Sequence, residues 1–276
     1  MSRLSRQSFL GPASDELLGR ATVGFVGLGG GGSHLVQQLA HVGIGNYVLV
    51  DPQPIDETNT NRLVGGTLDD AKAETPKVLI AERLIRGLEP DAKVQSLQRV
   101  WGDALAELRG CDVIFGAVDA LGTKSELEAF CRSNLIPFID IGMTVTALGS
   151  GRFLLSGQVI RSMPGQPCLE CLGLVTPSKL GDEARRYGDA GENPQVVWSN
   201  GVLASIATGL CVGLLTPWAD EDELIYLVYD GNRGTIVLGQ VAEEVRGEIC
   251  PHYPIGAVGQ PRFKLPAKEI GGEECR

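Results

Sequence analysis

The feature that most restricts this chain is a run of glycines set between an apolar strand and a helix. Residues 21–28 (ATVGFVGL) are short and apolar, the composition of a parallel strand buried on both faces. They run into Gly27-Leu28-Gly29-Gly30-Gly31-Gly32, which contains the GxGxxG spacing. Residues 33–42 then carry apolar side chains at helical spacing, and residues 46–50 (NYVLV) form a second apolar run closed by Asp51. Strand, glycine turn, helix, strand and acid make a βαβ unit. In such a unit Gly27 makes the tight turn, Gly29 and Gly30 bring backbone close to a phosphate, and Gly32 lets the helix pack on the strand. The helix start offers unpaired N–H groups to an anion, and Asp51 is placed for ribose hydroxyls. The glycines alone are a weak signal; with strand, helix and acid in register they predict a nucleotide site rather than a structural turn.

The remaining pattern predicts an α/β, Rossmann-like fold whose mainly parallel sheet continues into antiparallel strands in the second half. Residues 52–70 read as a long polar loop, 75–89 as a helix, 92–98 as a strand, 104–108 as a short helix and 111–118 (CDVIFGAV) as a buried strand ended by Asp119. A helix over 124–134 and a strand over 137–141 follow. Beyond them, 151–160 and 224–238 suit antiparallel strands, 172–195 a mobile loop, and 196–215 a long apolar helix. One domain over 1–253 with a tail over 254–276 is expected.

Three residues favour ATP over a dinucleotide. Arg62, in the loop after Asp51 that also carries Asn59 and Asn61, suits a triphosphate because guanidinium pairs with phosphate oxygens. Lys77 opens the next helix and can carry an ammonium to the β and γ phosphates. Asp119 ends a strand at the sheet edge where ligands bind in open α/β sheets, and a carboxylate there suits Mg²⁺. Each has a plain alternative: a solvated arginine, a surface lysine, a helix-capping aspartate.

The formal net charge of −10 argues against broad binding to nucleic acid or anionic membrane. No apolar run is expected to span a bilayer, the first residues lack a secretory core, and a cytoplasmic setting is the default. Seven scattered cysteines do not form a disulfide framework; Cys111, Cys131 and Cys211 sit in apolar segments as small hydrophobes, and the pair Cys168 and Cys171 leaves room for one metal site.

Taken in order, these motifs resemble the ThiF/MoeB/HesA adenylyltransferases of the ubiquitin-activating superfamily. SRQSFLG (5–11), VGLGGGGS, DPQPIDETNTNR, TPK (75–77), AVDALGTK and VVWSNGVLASIA (196–207) carry the resemblance, from about Leu4 to Tyr253. It implies that Asp51 holds the ribose, that Asn59, Arg62 and Lys77 hold the phosphates, and that Asp119 coordinates Mg²⁺. Arg6 would reach the nucleotide of the other subunit of a symmetric homodimer. The implied reaction is adenylation of the C-terminal carboxylate of a small ubiquitin-like or sulfur-carrier protein ending in Gly-Gly, with release of pyrophosphate. An NAD-binding oxidoreductase and a non-catalytic nucleotide-binding module are the competing readings.

Two departures from the family stand out. Many relatives carry two CxxC pairs for a structural Zn²⁺; here the first is Cys168-Leu169-Glu170-Cys171, but the second reads Cys250-Pro251-His252-Tyr253. His252 can stand as fourth ligand, since zinc accepts imidazole beside three thiolates; a degenerate site without metal is the alternative. Relatives that form a thioester often keep a cysteine in the loop crossing the site, and 172–195 has none. With Cys211 expected in the core, a thioester step is not expected.

Overall fold

The apolar strands pair as their composition demands. β1 (Thr22–Val26) lies between β2 (Asn46–Val50) and β4 (Val113–Gly116), with Val23 opposite both Tyr47 and Val113. β3 (Lys93–Leu97) and β5 (Phe138–Gly149) flank them, all in parallel. β6 (Arg152–Ser162), β7 (Ile225–Asp230) and β8 (Thr235–Leu238) continue the sheet antiparallel, giving the order β3-β2-β1-β4-β5-β6-β7-β8. This computed structural model describes residues 3–186, 194–219, 225–254 and 259. The expected tail over 254–276, with Cys275, therefore lies almost wholly outside the described residues.

The change of direction has a local cause. The parallel strands are joined by long crossovers, whereas β5 turns into β6 through Gly149, Ser150 and Gly151, all at positive φ. β5 consequently runs past the expected end at Ile141 as one arm of a hairpin. Its first four residues are buried, and the rest become progressively exposed.

Helices α2 (Gly30–Val42), α4 (Lys77–Leu88) and α8 (Val197–Leu215) cover one face of the sheet. α5 (Leu105–Leu108) and α6 (Leu121–Ser133) cover the other. Phe25 of β1 stacks between Tyr47 and Phe115, with ring centroids 6.0 and 5.4 Å away. By length and composition α8 is able to cross a membrane, contrary to the expectation for this chain. Half of its apolar stretch is buried against α2, β5 and β6, which makes it a core helix of this fold. Short helices α1 (Ser14–Arg20), α3 (Leu68–Lys72) and α9 (Gln240–Glu244) complete the frame.

Two segments expected as loops contain helices. Within 52–70, a 3₁₀ turn (Glu57–Asn59) leads to α3, which begins with a capping box: Thr67 Oγ1 accepts from the Asp70 N–H and Asp70 accepts from the Thr67 N–H. Asp70 also takes a bidentate pair of hydrogen bonds from Arg83 of α4, at 2.9 and 2.7 Å, tying this segment to the frame. Within 172–195 lies α7 (Pro177–Arg186). Its polar composition hides it, but Thr176 accepts from the Lys179 N–H and Pro177 occupies the first helical position, a common helix start.

Candidate functional site

β1 and β4 are neighbours whose chain connections leave in opposite directions, which opens a crevice at their carboxyl ends. A cavity of about 420 Å³ fills it, lined from four strands: Gly27 after β1, Asp51 after β2, Asp119 after β4, and Ile141–Met143 within β5. Gly27 has φ +89°, and a side chain there would lie 2.5 Å from the Ala117 carbonyl. A Cβ on Gly32 would lie 2.0 Å from the Gly27 carbonyl, so the helix packs on the turn as expected. Gly29 differs: among the described residues nothing beyond its chain neighbours lies within 4 Å of its would-be Cβ, which leaves open space where a ligand can meet backbone.

Four charged residues named from sequence, Asp51, Arg62, Lys77 and Asp119, line this one cavity. Asp51, buried, accepts from the Leu28 N–H at 2.7 Å and the Gln53 N–H at 2.8 Å, so the acid also shapes the glycine turn. Lys77 is buried at the start of α4 and its Nζ donates to Gln53 Oε1 at 2.8 Å. Arg62 uses Nη1 on the Thr58 carbonyl and Asn61 Oδ1; its other guanidinium N–H groups have no partner among the described residues. Asp119 is exposed to the cavity and accepts from Gln195 Nε2 with both oxygens, at 3.2 and 3.1 Å. It does not cap α6, which disposes of the plain alternative for this residue.

Asn59 is placed in the cavity wall with a twist. Its Nδ2 is committed to Asp56 Oδ1 at 2.9 Å, and its buried Oδ1 has no partner. The atom left over is an acceptor, so it suits a hydroxyl or ammonium donor better than a phosphate oxygen. Arg6 does not line the cavity; it is exposed on the 3₁₀ segment Ser5–Leu10.

The arrangement is a nucleotide-sized crevice with a glycine floor, two cations and an exposed carboxylate. The ThiF family matches residues 1–241. The chain belongs to the ThiF family. Among its relatives, the sulfur carrier protein adenylyltransferase of Thermus thermophilus is 32% identical over 92% of each chain. The SAMP-activating enzyme E1 of Haloferax volcanii is 32% identical over 62% of this chain and 62% of its own length, so the match spans less than two thirds of that relative. A crystal structure of E. coli MccB with ATP superposes with a TM-score of 0.74 over 91% of this chain and 74% of that one; at 18% identity this shows a shared fold.

Other residues of this ThiF-family site were not singled out from sequence. Asn200 of α8 lies against the glycine loop, where a Cβ on Gly30 would come within 2.4 Å of its Nδ2. Val100 and Trp101 add an apolar wall. Lys124 is buried and ion-paired with buried Asp140, and donates to the Ile141 carbonyl at 3.0 Å, fixing the strand that floors the cavity. Burial pushes the Asp140 carboxyl above its usual range, and Lys124 opposes that shift. The motifs VVWSNG and AVDALGTK contain Asn200 and Lys124 without pointing to their roles; Val100, Trp101 and Asp140 act through contacts that no local pattern reveals.

A second cluster lies apart from the cavity. The ligand atoms of Cys168, Cys171, Cys250 and His252 all fall within 4.8 Å of one another. Cys171 Sγ is 3.7 Å from both Cys168 Sγ and Cys250 Sγ, while His252 Nδ1 is 3.3 and 3.4 Å from Cys168 and Cys171. Thiolates bound at about 2.3 Å in a tetrahedron stand roughly 3.8 Å apart, so three thiols and one imidazole fit Zn²⁺. Burial raises Cys168 and Cys171 above the usual thiol range. Burial also acts against the Cys250 thiolate, but hydrogen bonds from the Tyr253 backbone, the two neighbouring thiols and the His252 backbone outweigh it and bring Cys250 below that range. Tyr253, at the family's fourth-cysteine position, instead lies under the Arg132 guanidinium, 4.9 Å from ring centre to Cζ.

Proposed function

We propose that this chain is an ATP-dependent adenylyltransferase that activates the C-terminal glycine carboxylate of a small sulfur-carrier or ubiquitin-like protein. The observation that carries this reading is the convergence of Asp51, Arg62, Lys77 and Asp119 on one crevice with an open glycine floor. A hydride-transfer site has no evident use for two cations and an exposed carboxylate there. The names of the Thermus and Haloferax relatives point to the same class of protein substrate.

The chemistry follows from the residues. The partner's carboxylate, already ionised at neutral pH, attacks the α-phosphorus of ATP. A carboxyl–phosphorus bond forms, the bond to the bridging oxygen of the β phosphate breaks, and pyrophosphate leaves with the electron pair. No protein base is needed; the chain orients two anions and offsets the charge that develops between them. Arg62 and Lys77 supply cations for the phosphates, Asp51 and the glycine turn hold ribose and backbone contacts, and Val100, Trp101 and Val118 give an apolar wall for the base. Asp119 would hold Mg²⁺, which neutralises phosphate charge when bound. In a symmetric dimer, the exposed Arg6 would complete the site of the neighbouring subunit.

Transfer to a protein thiol is not part of this reading. Cys211 is fully buried in α8, and burial pushes the Cys111 thiol up to about 12. Such thiols are poor nucleophiles. A reducible enzyme–partner conjugate that disappears on mutating one cysteine would overturn this point.

Gly29→Ala separates binding from folding. The added methyl meets no described atom within 4 Å beyond its chain neighbours, but ψ there is −146°, outside the β range, so stability should fall by about 1–2 kcal/mol. The methyl stands in the ligand's space, so calorimetry should show ATP binding weakened by roughly tenfold or more. Unchanged affinity would place the nucleotide elsewhere. Zinc is proposed at Cys168, Cys171, Cys250 and His252. Metal analysis of the purified protein should find one zinc per chain, and Cys171→Ser should lose it; equal zinc in both proteins would remove the site.

A further inference from the structure

The start of α6, immediately after Asp119, is capped from a distant part of the chain. Ala120 holds the N-cap position and its side chain has no acceptor to offer. The first free N–H groups donate instead to Glu183 of α7: Leu121 N–H to Oε1 at 2.8 Å and Gly122 N–H to Oε2 at 3.0 Å. An acidic or hydroxyl side chain next to the helix start ordinarily fills that role. The adjacent acid here is Asp119, and it is left out of the cap. The same carboxylate fixes α7 beside the nucleotide crevice. Leu174 and Lys179 there wall a second cavity of about 440 Å³ that shares Asp119 and Gln195 with the first.

We propose that Glu183 is a positioning residue for the metal that accompanies the nucleotide: by taking over the cap of α6 it keeps the Asp119 carboxylate turned into the crevice. This rests on the reading of Asp119 as the metal-holding acid. The physical reason is competition. Two unpaired N–H groups at the positive end of a 13-residue helix attract the nearest carboxylate. Without Glu183, that carboxylate is Asp119, two positions before Leu121. Drawn into the cap, Asp119 keeps its charge but loses the direction and lone pairs that a metal needs.

The test uses the full chain with Mn²⁺ and α,β-methylene-ATP, reading by ultrafiltration the Mn²⁺ retained with the protein, against the Mn²⁺ that passes with the analogue alone. Glu183→Gln offers one acceptor oxygen to two donors and should weaken Mn²⁺ binding in the presence of the analogue roughly tenfold. Binding of the analogue alone, in chelator, should change by less than about twofold. Thr176→Ala loosens α7 at its own start without touching α6, and should leave Mn²⁺ affinity within about twofold of the unaltered chain. A Glu183→Gln protein that binds Mn²⁺ as the unaltered chain does overturns the inference alone. So does a Thr176→Ala protein with the same loss, since α7 docking in general would then be responsible. An unaltered chain that holds no Mn²⁺ with the analogue overturns the functional reading and this inference together.

Discussion

Asp119→Ala should abolish adenylation while leaving the fold intact. ATP–pyrophosphate exchange in the presence of a Gly-Gly-terminated partner is expected to fall by at least about 10²–10³-fold, the range for loss of one electrostatic group aimed at developing charge. The carboxylate is exposed and its described partner is the Gln195 amide, so stability should change by no more than about 0.5 kcal/mol. Thermal melting checks the second half of the statement. A variant that melts normally and retains exchange would show that Asp119 has no part in the step.

The largest effect on stability is expected at Arg132. It is buried on α6 and ion-paired with buried Glu128 at 3.3 Å. It also donates to the Gln166 and Pro167 carbonyls and to Ser162 Oγ, and it lies over Tyr253. Glu128 in turn accepts from Ser162 and from the Leu169 N–H, which leads into the first cysteine pair. Arg132→Met leaves that carboxylate buried and unpaired, at an expected cost of about 3–5 kcal/mol. Adding Glu128→Gln should recover part of the loss. The pH dependence has a definite sign. Burial already raises the Glu128 carboxyl above its usual range, and Arg132 opposes that rise. Without Arg132 the folded-state value rises further above the unfolded one. The folded state then binds the extra proton, and stability falls as pH rises. Denaturant unfolding should show a larger deficit for Arg132→Met at pH 8 than at pH 5. A deficit independent of pH would mean that Glu128 does not carry the penalty.

Much of this molecule is legible in its sequence because the relevant physics is local. β1, the glycine turn, α2 and Asp51 lie within one βαβ unit, and their apolar runs, backbone demands and closing acid are read in a single pass. Arg62, Lys77 and Asp119 are legible for a related reason: each stands at the end of a recognisable element on the same edge of the sheet. What escaped depends on contacts between distant segments. Glu183 meets the start of α6 across 62 positions and Gln195 meets Asp119 across 76. α7 was missed because its polar face outweighs its short apolar one. α8, by contrast, is the long apolar helix expected over 196–215, observed as Val197–Leu215. At the cysteine cluster the chain showed which residues were candidates, but only the fold brings His252 Nδ1 to the thiols and turns Tyr253 toward Arg132.

The central claim is that this crevice activates a carboxylate with ATP. ATP–pyrophosphate exchange with small sulfur-carrier and ubiquitin-like proteins ending in Gly-Gly tests it most directly. Exchange that depends on the partner and on its terminal glycine, and that is lost in Asp119→Ala, is the expected result. No exchange with any such protein, together with tight binding of NAD, would contradict it.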